Sequence, residues 1–302
     1  MSFFQQVKNI IRFCTPYGMI EAHHEKYARK MAEKEQAIRN YFLSLDPGKQ
    51  PAEILEIIDY FRQYGFSVMP YPFTRKYHTQ DITVFPDLVC SMNYVLHQGK
   101  KLYFPRNWGI ERIRAYYTGL CREQDAESPH RYETDMYRVM PGEIIADIGA
   151  AEGIWALTYA EQAKKIYLFE CEQGWQEALL KTFEPWKDKV ELVHKFMSAL
   201  SDGKKQVSLD DYFREKEIHF IKADIEGAEL ALLAGGRQTL THAGNMKILL
   251  CTYHHQEDAT QIEQALLALG FTTEFSPRHI IFIYDKELAP PYIRKGLIRA
   301  KK

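Results

Sequence analysis

The chain has 302 residues, enough for one large domain or for a core domain with an extension. Apolar residues make up 46% and charged residues 26%, and 39 basic side chains face 40 acidic ones for a formal net charge of −1. That balance creates no global field for nucleic acid or an anionic membrane, and no apolar run approaches the ~20 residues of a bilayer span.

Phe3, Phe4, Val7, Ile10 and Ile11 recur at helical spacing, and Thr15-Pro16-Tyr17-Gly18 stops that helix. The same start lacks the basic and apolar regions of a signal peptide. A long charged helix is expected over residues 21–45, closed by Asp46-Pro47-Gly48, and a shorter one over 52–64, capped by Gly65. Next comes a hairpin in which 92–96 pairs with 101–104 across His97-Gln98-Gly99-Lys100. A further helix covers 109–122. The cysteines (Cys14, Cys90, Cys121, Cys171 and Cys251) contain no Cys-x-x-Cys pair, the pattern of reduced thiols in a cytoplasm.

After Pro141-Gly142 short apolar strands alternate with helices: strands at 143–148, 165–169, 190–196, 219–223 and 246–252, helices from 153, at 175–183, 228–233 and 259–269. Such alternation implies βαβ units and a parallel sheet. Segments 271–275 and 280–284 are separated only by Ser276-Pro277-Arg278-His279, too short for a crossover helix, and are expected to pair antiparallel. The fold class is therefore α/β: a Rossmann-like, mostly parallel sheet with a terminal antiparallel hairpin. Residues 1–105 form a mainly helical extension containing a β-hairpin, a region for substrate or partner, and 106–302 the cofactor-binding domain. Arg294, Lys295, Arg299, Lys301 and Lys302 read as a solvated tail. The alternative is that they touch a membrane surface together with the amphipathic start, which is otherwise expected to dock on its own domain.

Asp147-Ile148-Gly149-Ala150-Ala151-Glu152-Gly153 follows the first of these strands. Small residues there let backbone approach a ligand, and the next helix begins with its positive dipole end. The spacing Gly-x-x-x-Gly differs from the Gly-x-Gly-x-x-Gly of pyrophosphate binders. Asp147 stands where a carboxylate would face the ammonium of a methionine moiety. Glu170 ends the next strand about 20 positions on, the place of the group that holds ribose hydroxyls. Phe196-Met197-Ser198-Ala199-Leu200-Ser201-Asp202 would flank an adenine; alone, Met197 is equally suited to packing.

Asp210-Asp211 followed by Phe220-Ile221-Lys222-Ala223-Asp224-Ile225-Glu226-Gly227-Ala228-Glu229 resembles the signature of the FkbM family of methyltransferases. The family's other blocks fall on Asp147 to Gly153, Phe169-Glu170, Ala199 to Asp202 and Leu209-Asp210. The likeness runs from Pro141 to Arg237 and weakens out to Asp285. Two departures stand out: Ala151-Glu152-Gly153 replaces the family's Asn-x-Gly, and Cys171 replaces the proline after the ribose-binding Glu. The resemblance implies S-adenosylmethionine as cofactor, bound by Asp147, Gly149, Ala150, Gly153, Glu170, Cys171, Met197, Ser198 and Asp224. It also implies methyl transfer to a hydroxyl of a sugar, glycan or secondary metabolite.

Ligands of open α/β sheets bind outside the carboxyl ends of the strands, where Asp224 and Glu226 end one strand and Tyr253-His254-His255 another. His254 or His255 is the expected base, His254 first, since imidazole titrates near neutrality. Each is equally a candidate for a structural, hydrogen-bonded histidine. Asp224 and Glu226 are expected to position hydroxyls and not to hold a metal. His130 and Tyr132, in the polar segment ahead of the first strand, and Glu229 are candidates for the substrate side or a lid. Tyr71, Phe73, Tyr103 and Phe104 suit either sugar stacking or the core. Two other functions fit the same sheet: a catalytically inactive cofactor- or glycan-binding module, and an NAD-dependent oxidoreductase, which the glycine spacing disfavours.

Overall fold

The computed structural model describes residues 17–285 and 287–302. The helix expected from Phe3, Phe4, Val7, Ile10 and Ile11 lies outside the described residues. Helix α1 (Tyr17–Ser44) begins four residues earlier than expected, and α2 (Ala52–Tyr64) follows. Ile54, Ile57, Ile58 and Phe61 repeat at helical spacing on α2 and are buried against Ile38 and Phe42 of α1. Each such buried side chain contributes about 1.5–3 kcal/mol. Tyr71, Phe73, Ile280, Ile281 and Ile283 complete this cluster, so the helical extension is packed on a segment from near the far end of the chain.

A three-stranded antiparallel sheet comes next: β1 (Phe85–Asp87), β2 (Met92–His97) and β3 (Lys100–Tyr103). Gln98 and Gly99 both take positive φ (50° and 80°), the geometry that matches a two-residue turn to the twist of its strands. Helix α3 (Ile110–Glu123) leads to the main sheet. Tyr71, Phe73, Tyr103 and Phe104 are all buried, which settles them as core.

The main sheet is built from β4 (Ile144–Ile148), β5 (Lys165–Phe169), β6 (Val190–Val193), β9 (Phe220–Ala223), β10 (Lys247–Cys251), β11 (Thr272–Phe275) and β14 (Leu297–Lys301). Two short pairs lie beside it: β7 (Phe196–Met197) with β8 (Gln206–Val207), and β12 (His279–Ile280) with β13 (Arg294–Lys295). Its helices are α4 (Ile154–Thr158), α5 (Gln173–Thr182), α6 (Leu209–Tyr212), α7 (Glu229–Gly235), α8 (Arg237–His242) and α9 (Asp258–Ala268). The strand order is β11-β14-β10-β9-β4-β5-β6. Ladders β6–β5–β4–β9–β10 are parallel, and β14 runs antiparallel to both its neighbours. This is the Rossmann-like arrangement with an antiparallel element at one side.

Every residue of β4, β9 and β10 is buried, as expected of parallel strands covered on both faces. Alternation divides them: Ile145, Phe220 and Leu249 face α3, α4 and α5, whereas Ile144, Ile221 and Ile248 face the α7 and α9 side.

The antiparallel element differs in its residues from the hairpin expected at 271–275 and 280–284. Phe275 pairs with Ile298, while Ile280 pairs with Arg294 in its own small ladder. Two basic residues of the last segment are buried and not solvated as their charge would suggest. Arg299 is buried inside the sheet, where Nε donates to the Tyr132 carbonyl (3.0 Å) and Nη2 to that of Arg131 (2.6 Å). Arg294 is buried too, donating to the Tyr253 and His254 carbonyls at 2.8 Å each. Neither forms a solvated tail. Among the described residues no helix is long and apolar enough to cross a membrane.

Candidate functional site

A crevice of ≈ 390 Å³ opens at the carboxyl ends of the parallel strands. Its walls are the Gly149–Glu152 turn after β4, Asp224 and Glu226 after β9, Tyr253 and His254 after β10, and one face of α3. Gly149 has φ +73°, and a methyl group there would fall 2.1 Å from the Asp224 carbonyl oxygen. Only glycine lets the two strand ends touch this closely.

Asp224 is the centre of the polar wall. Its carboxylate accepts from Tyr132 Oη (3.3 Å) and Tyr253 Oη (3.3 Å), with His254 Nε2 at 3.4 Å and His130 Nε2 at 3.6 Å. Burial would raise its pKa, but His130, His254 and Lys222 hold it well below the usual carboxylate range. His254 is 4% exposed and bridges two carboxylates, with Nε2 toward Asp224 and Nδ1 3.4 Å from Glu229 Oε1. Burial disfavours its charged form, yet Glu229, Asp224 and Glu226 outweigh it and push the pKa up to about 9. His254 is thus an imidazolium at neutral pH. His130 is shifted the same way, burial being overcome by Asp224 and Glu123.

Asp147 does not reach the crevice. It lies directly across the β4–β9 ladder from Lys222, and Lys222 Nζ sits 2.9 Å from Asp147 Oδ1 and 3.0 Å from the Gly149 carbonyl oxygen. Lys222, not Asp147, is at the wall. Glu170 is likewise committed: Oε2 accepts the Ala151 N–H (2.9 Å) and Oε1 the Glu172 N–H (2.6 Å). Gly153 caps α4 with φ +79°, where an added methyl would strike Leu179 and Phe183. Cys171 is a half-buried free thiol whose pKa burial pushes up to about 12. Met197 packs in the apolar layer with Val193 and Val207, and the Ser198 N–H donates to Val207, so neither borders the crevice.

His255 is exposed and lies over Gly227, outside the crevice, which removes it as a base facing an acceptor there. Glu226 borders the crevice in a left-handed conformation, φ 58°. Glu229 stands behind His254, accepting the Ile225 N–H at 2.9 Å. His130 and Tyr132 are wall residues as expected.

One wall of the crevice, a face of α3, is not marked by any of the motifs above. Tyr116, Gly119, Leu120 and Glu123 repeat at helical spacing and turn one face of α3 to the crevice. Tyr116 Oη donates to Glu152 Oε2 at 2.7 Å. Burial raises Glu152 to a pKa of about 7 despite that hydrogen bond, and burial also raises Glu123. Ligand-type atoms of His130, Asp224 and Cys251, and of Asp224, Glu229 and His254, lie within 4.8 Å of one another. In each cluster a histidine whose pKa is raised by neighbouring carboxylates already supplies positive charge.

The sheet order and this crevice define a Rossmann-like fold of the methyltransferase kind. Residues 198–273 match the family described as Methyltransferase FkbM domain. No curated protein matches the sequence. Among solved structures, the fold is similar to a methyltransferase FkbM from Methylobacillus flagellatus KT, at 15% identity and TM-score 0.45 over 64% of this chain and 54% of that one. A putative SAM-dependent methyltransferase from Streptococcus mutans gives 12% identity and TM-score 0.42, over 70% and 56%. Precorrin-6y C5,15-methyltransferase from Geobacter metallireducens GS-15 gives 14% and 0.38, over 55% and 84%. The chain thus spans about half the length of the Methylobacillus protein.

Proposed function

We propose that the protein is an S-adenosylmethionine-dependent methyltransferase that methylates a hydroxyl of a sugar, glycan or secondary-metabolite acceptor in the crevice beside Asp224. One observation carries this reading. The carboxylate best placed to hold an acceptor, Asp224, touches the cofactor turn at Gly149 and is surrounded by two histidines and two phenols.

The residues present fit the cofactor. The Gly149–Glu152 turn offers backbone that a ligand can approach, and carboxylates face the space in front of it. S-adenosylmethionine would supply an electrophilic methyl group on a sulfonium. The chain's own task is to align a hydroxyl and take its proton. His254 is charged near neutrality and accepts no proton there, so the expectation of His254 as base gives way to Asp224. An attacking hydroxyl becomes strongly acidic as its oxygen–carbon bond forms, and a carboxylate of depressed pKa then suffices to receive the proton. His254, held by Glu229, and His130 orient Asp224 and keep it ionised. Tyr132 and Tyr253, whose phenol pKa values burial raises well above the usual, remain donors to it.

Turnover of a labelled methyl donor across glycan and small-molecule pools tests the reading. Wild-type protein should label an acceptor, and Asp224→Asn should lower turnover about 10²–10⁴-fold, the usual share of general-base catalysis. S-adenosylhomocysteine binding without turnover on any acceptor would instead indicate an inactive binding module. NAD binding in place of S-adenosylhomocysteine would indicate an oxidoreductase.

A further inference from the structure

The cofactor turn contains a carboxylate that is sealed off and one that is not. Asp147 is 1% exposed and neutralised by Lys222, which stands between it and the crevice. A cation entering the crevice would meet the Lys222 ammonium before reaching Asp147. Glu152, three residues beyond Gly149 on the same turn, is 5% exposed and borders the crevice. Tyr116 Oη binds one of its oxygens. Glu123 lies two helical turns beyond Tyr116 on α3, borders the same space and acts on the same phenol. Among the described ion pairs neither Glu123 nor Glu152 has a cationic partner. Lys222 and His130 act on these carboxylates from across the crevice without pairing with either, and two carboxylates in one buried space remain costly.

We propose that Glu152 and Glu123 together seat the α-ammonium of the cofactor's amino-acid moiety, and that Asp147 does not contact it. This rests on the methyltransferase reading above and specifies which residues of this chain recognise that end of the ligand. Burial holds the Glu152 carboxyl up at about 7, so a cation that pairs with it would shift it to the ionised form. Facing it are Tyr116 and Glu123 from α3, Lys222 and Asp224 from the end of β9, and His130 from the segment before β4. Arrival of an ammonium favours the ionised carboxylate, so binding near neutral pH expels a proton from Glu152.

Calorimetric titration separates the outcomes. The ligands are S-adenosylhomocysteine and 5′-methylthioadenosine, which keeps the nucleoside and thioether but lacks the amino-acid moiety. Wild-type protein, Glu152→Gln and Glu123→Gln are titrated at pH 7 in two buffers of different ionisation enthalpy. Wild-type protein should bind S-adenosylhomocysteine more tightly than 5′-methylthioadenosine and release protons only with the former. Glu152→Gln should abolish the release and weaken S-adenosylhomocysteine about tenfold or more, the worth of a charge-assisted hydrogen bond, with 5′-methylthioadenosine unchanged. Glu123→Gln should weaken S-adenosylhomocysteine alone. Unchanged S-adenosylhomocysteine affinity in Glu152→Gln, or equal losses for both ligands, overturns the seat while leaving the cofactor reading intact. If wild-type protein binds neither ligand, the cofactor reading itself fails and the seat with it.

Discussion

Lys222 Nζ lies 2.9 Å from Asp147 Oδ1 across two adjacent parallel strands, and both side chains are almost wholly buried. Burial alone would lower the Lys222 pKa, but Asp147 and Asp224 raise it, so the ammonium is fixed. Removing one partner strands the other charge. Lys222→Met should cost about 3–5 kcal/mol in urea unfolding, and adding Asp147→Asn should recover most of the loss. If the single variant is as stable as wild type, the pair is not what holds these strand ends in register.

Several groups with raised pKa make stability fall with rising pH, and His254 and Glu152 do so in separate windows. The folded-state pKa of His254 is raised to about 9 from 6.5, so its contribution is complete below pH 6.5 and lost as pH rises through 9. That shift corresponds to about 3 kcal/mol. Glu152 is raised to about 7 from 4.5, so its protonated form stabilises below 4.5 and the effect fades through 7. Urea midpoints taken from pH 4 to 10 should decline in both windows. Glu152→Gln should flatten the lower one and His254→Gln the upper one. A His254→Gln protein with an unaltered slope between 6.5 and 9 would show that His254 is neutral in the fold.

Glu170→Ala should act on the turn before it acts on any ligand. The Ala151 and Glu172 N–H groups both lose their acceptor, at about 1–3 kcal/mol each if they stay buried. Thermal unfolding should drop accordingly, and S-adenosylhomocysteine affinity should fall by one to two orders of magnitude as the turn loosens. Loss of affinity with wild-type stability would mean that Glu170 serves the ligand directly.

Arg299 links the sheet to the crevice wall through the Arg131 and Tyr132 carbonyls. Arg299→Leu leaves those acceptors without a donor and frees the segment that carries His130 and Tyr132. We expect a loss of about 2–4 kcal/mol in stability. Turnover should decline more than cofactor affinity does, because Tyr132 donates to Asp224. Equal declines would place the effect elsewhere.

Much of this molecule is readable from its residues. The parallel strands declare themselves because each is a short apolar run buried on both faces, and β5 has the bounds expected for it. The Gln98-Gly99 turn and the helical face of α2 are local signals, and local signals suffice for local structure. What escaped depends on partners distant in sequence. Leu297–Lys301 carries two arginine or lysine side chains in five residues and shows no alternation, so nothing marked it as a strand between β10 and β11. The Asp147–Lys222 pair was accessible in principle. Strand alternation places Asp147 on the face of Ile145 and Lys222 on that of Phe220, and adjacent parallel strands would bring them together. The charge state of His254 was not accessible, since it arises from Glu229 and Asp224 converging on a buried ring.

Strand β14 lies between β10 and β11, although both precede it in the chain. During synthesis β11 emerges before the strand that holds it in the sheet, and it must wait beside an open gap. The same late arrival brings Arg299 to the carbonyls of Arg131 and Tyr132. A nascent chain that has already folded β4, β5 and β9 therefore still has a loose crevice wall. Until β14 is in place, β10 and β11 each keep an unpaired strand edge exposed to capture.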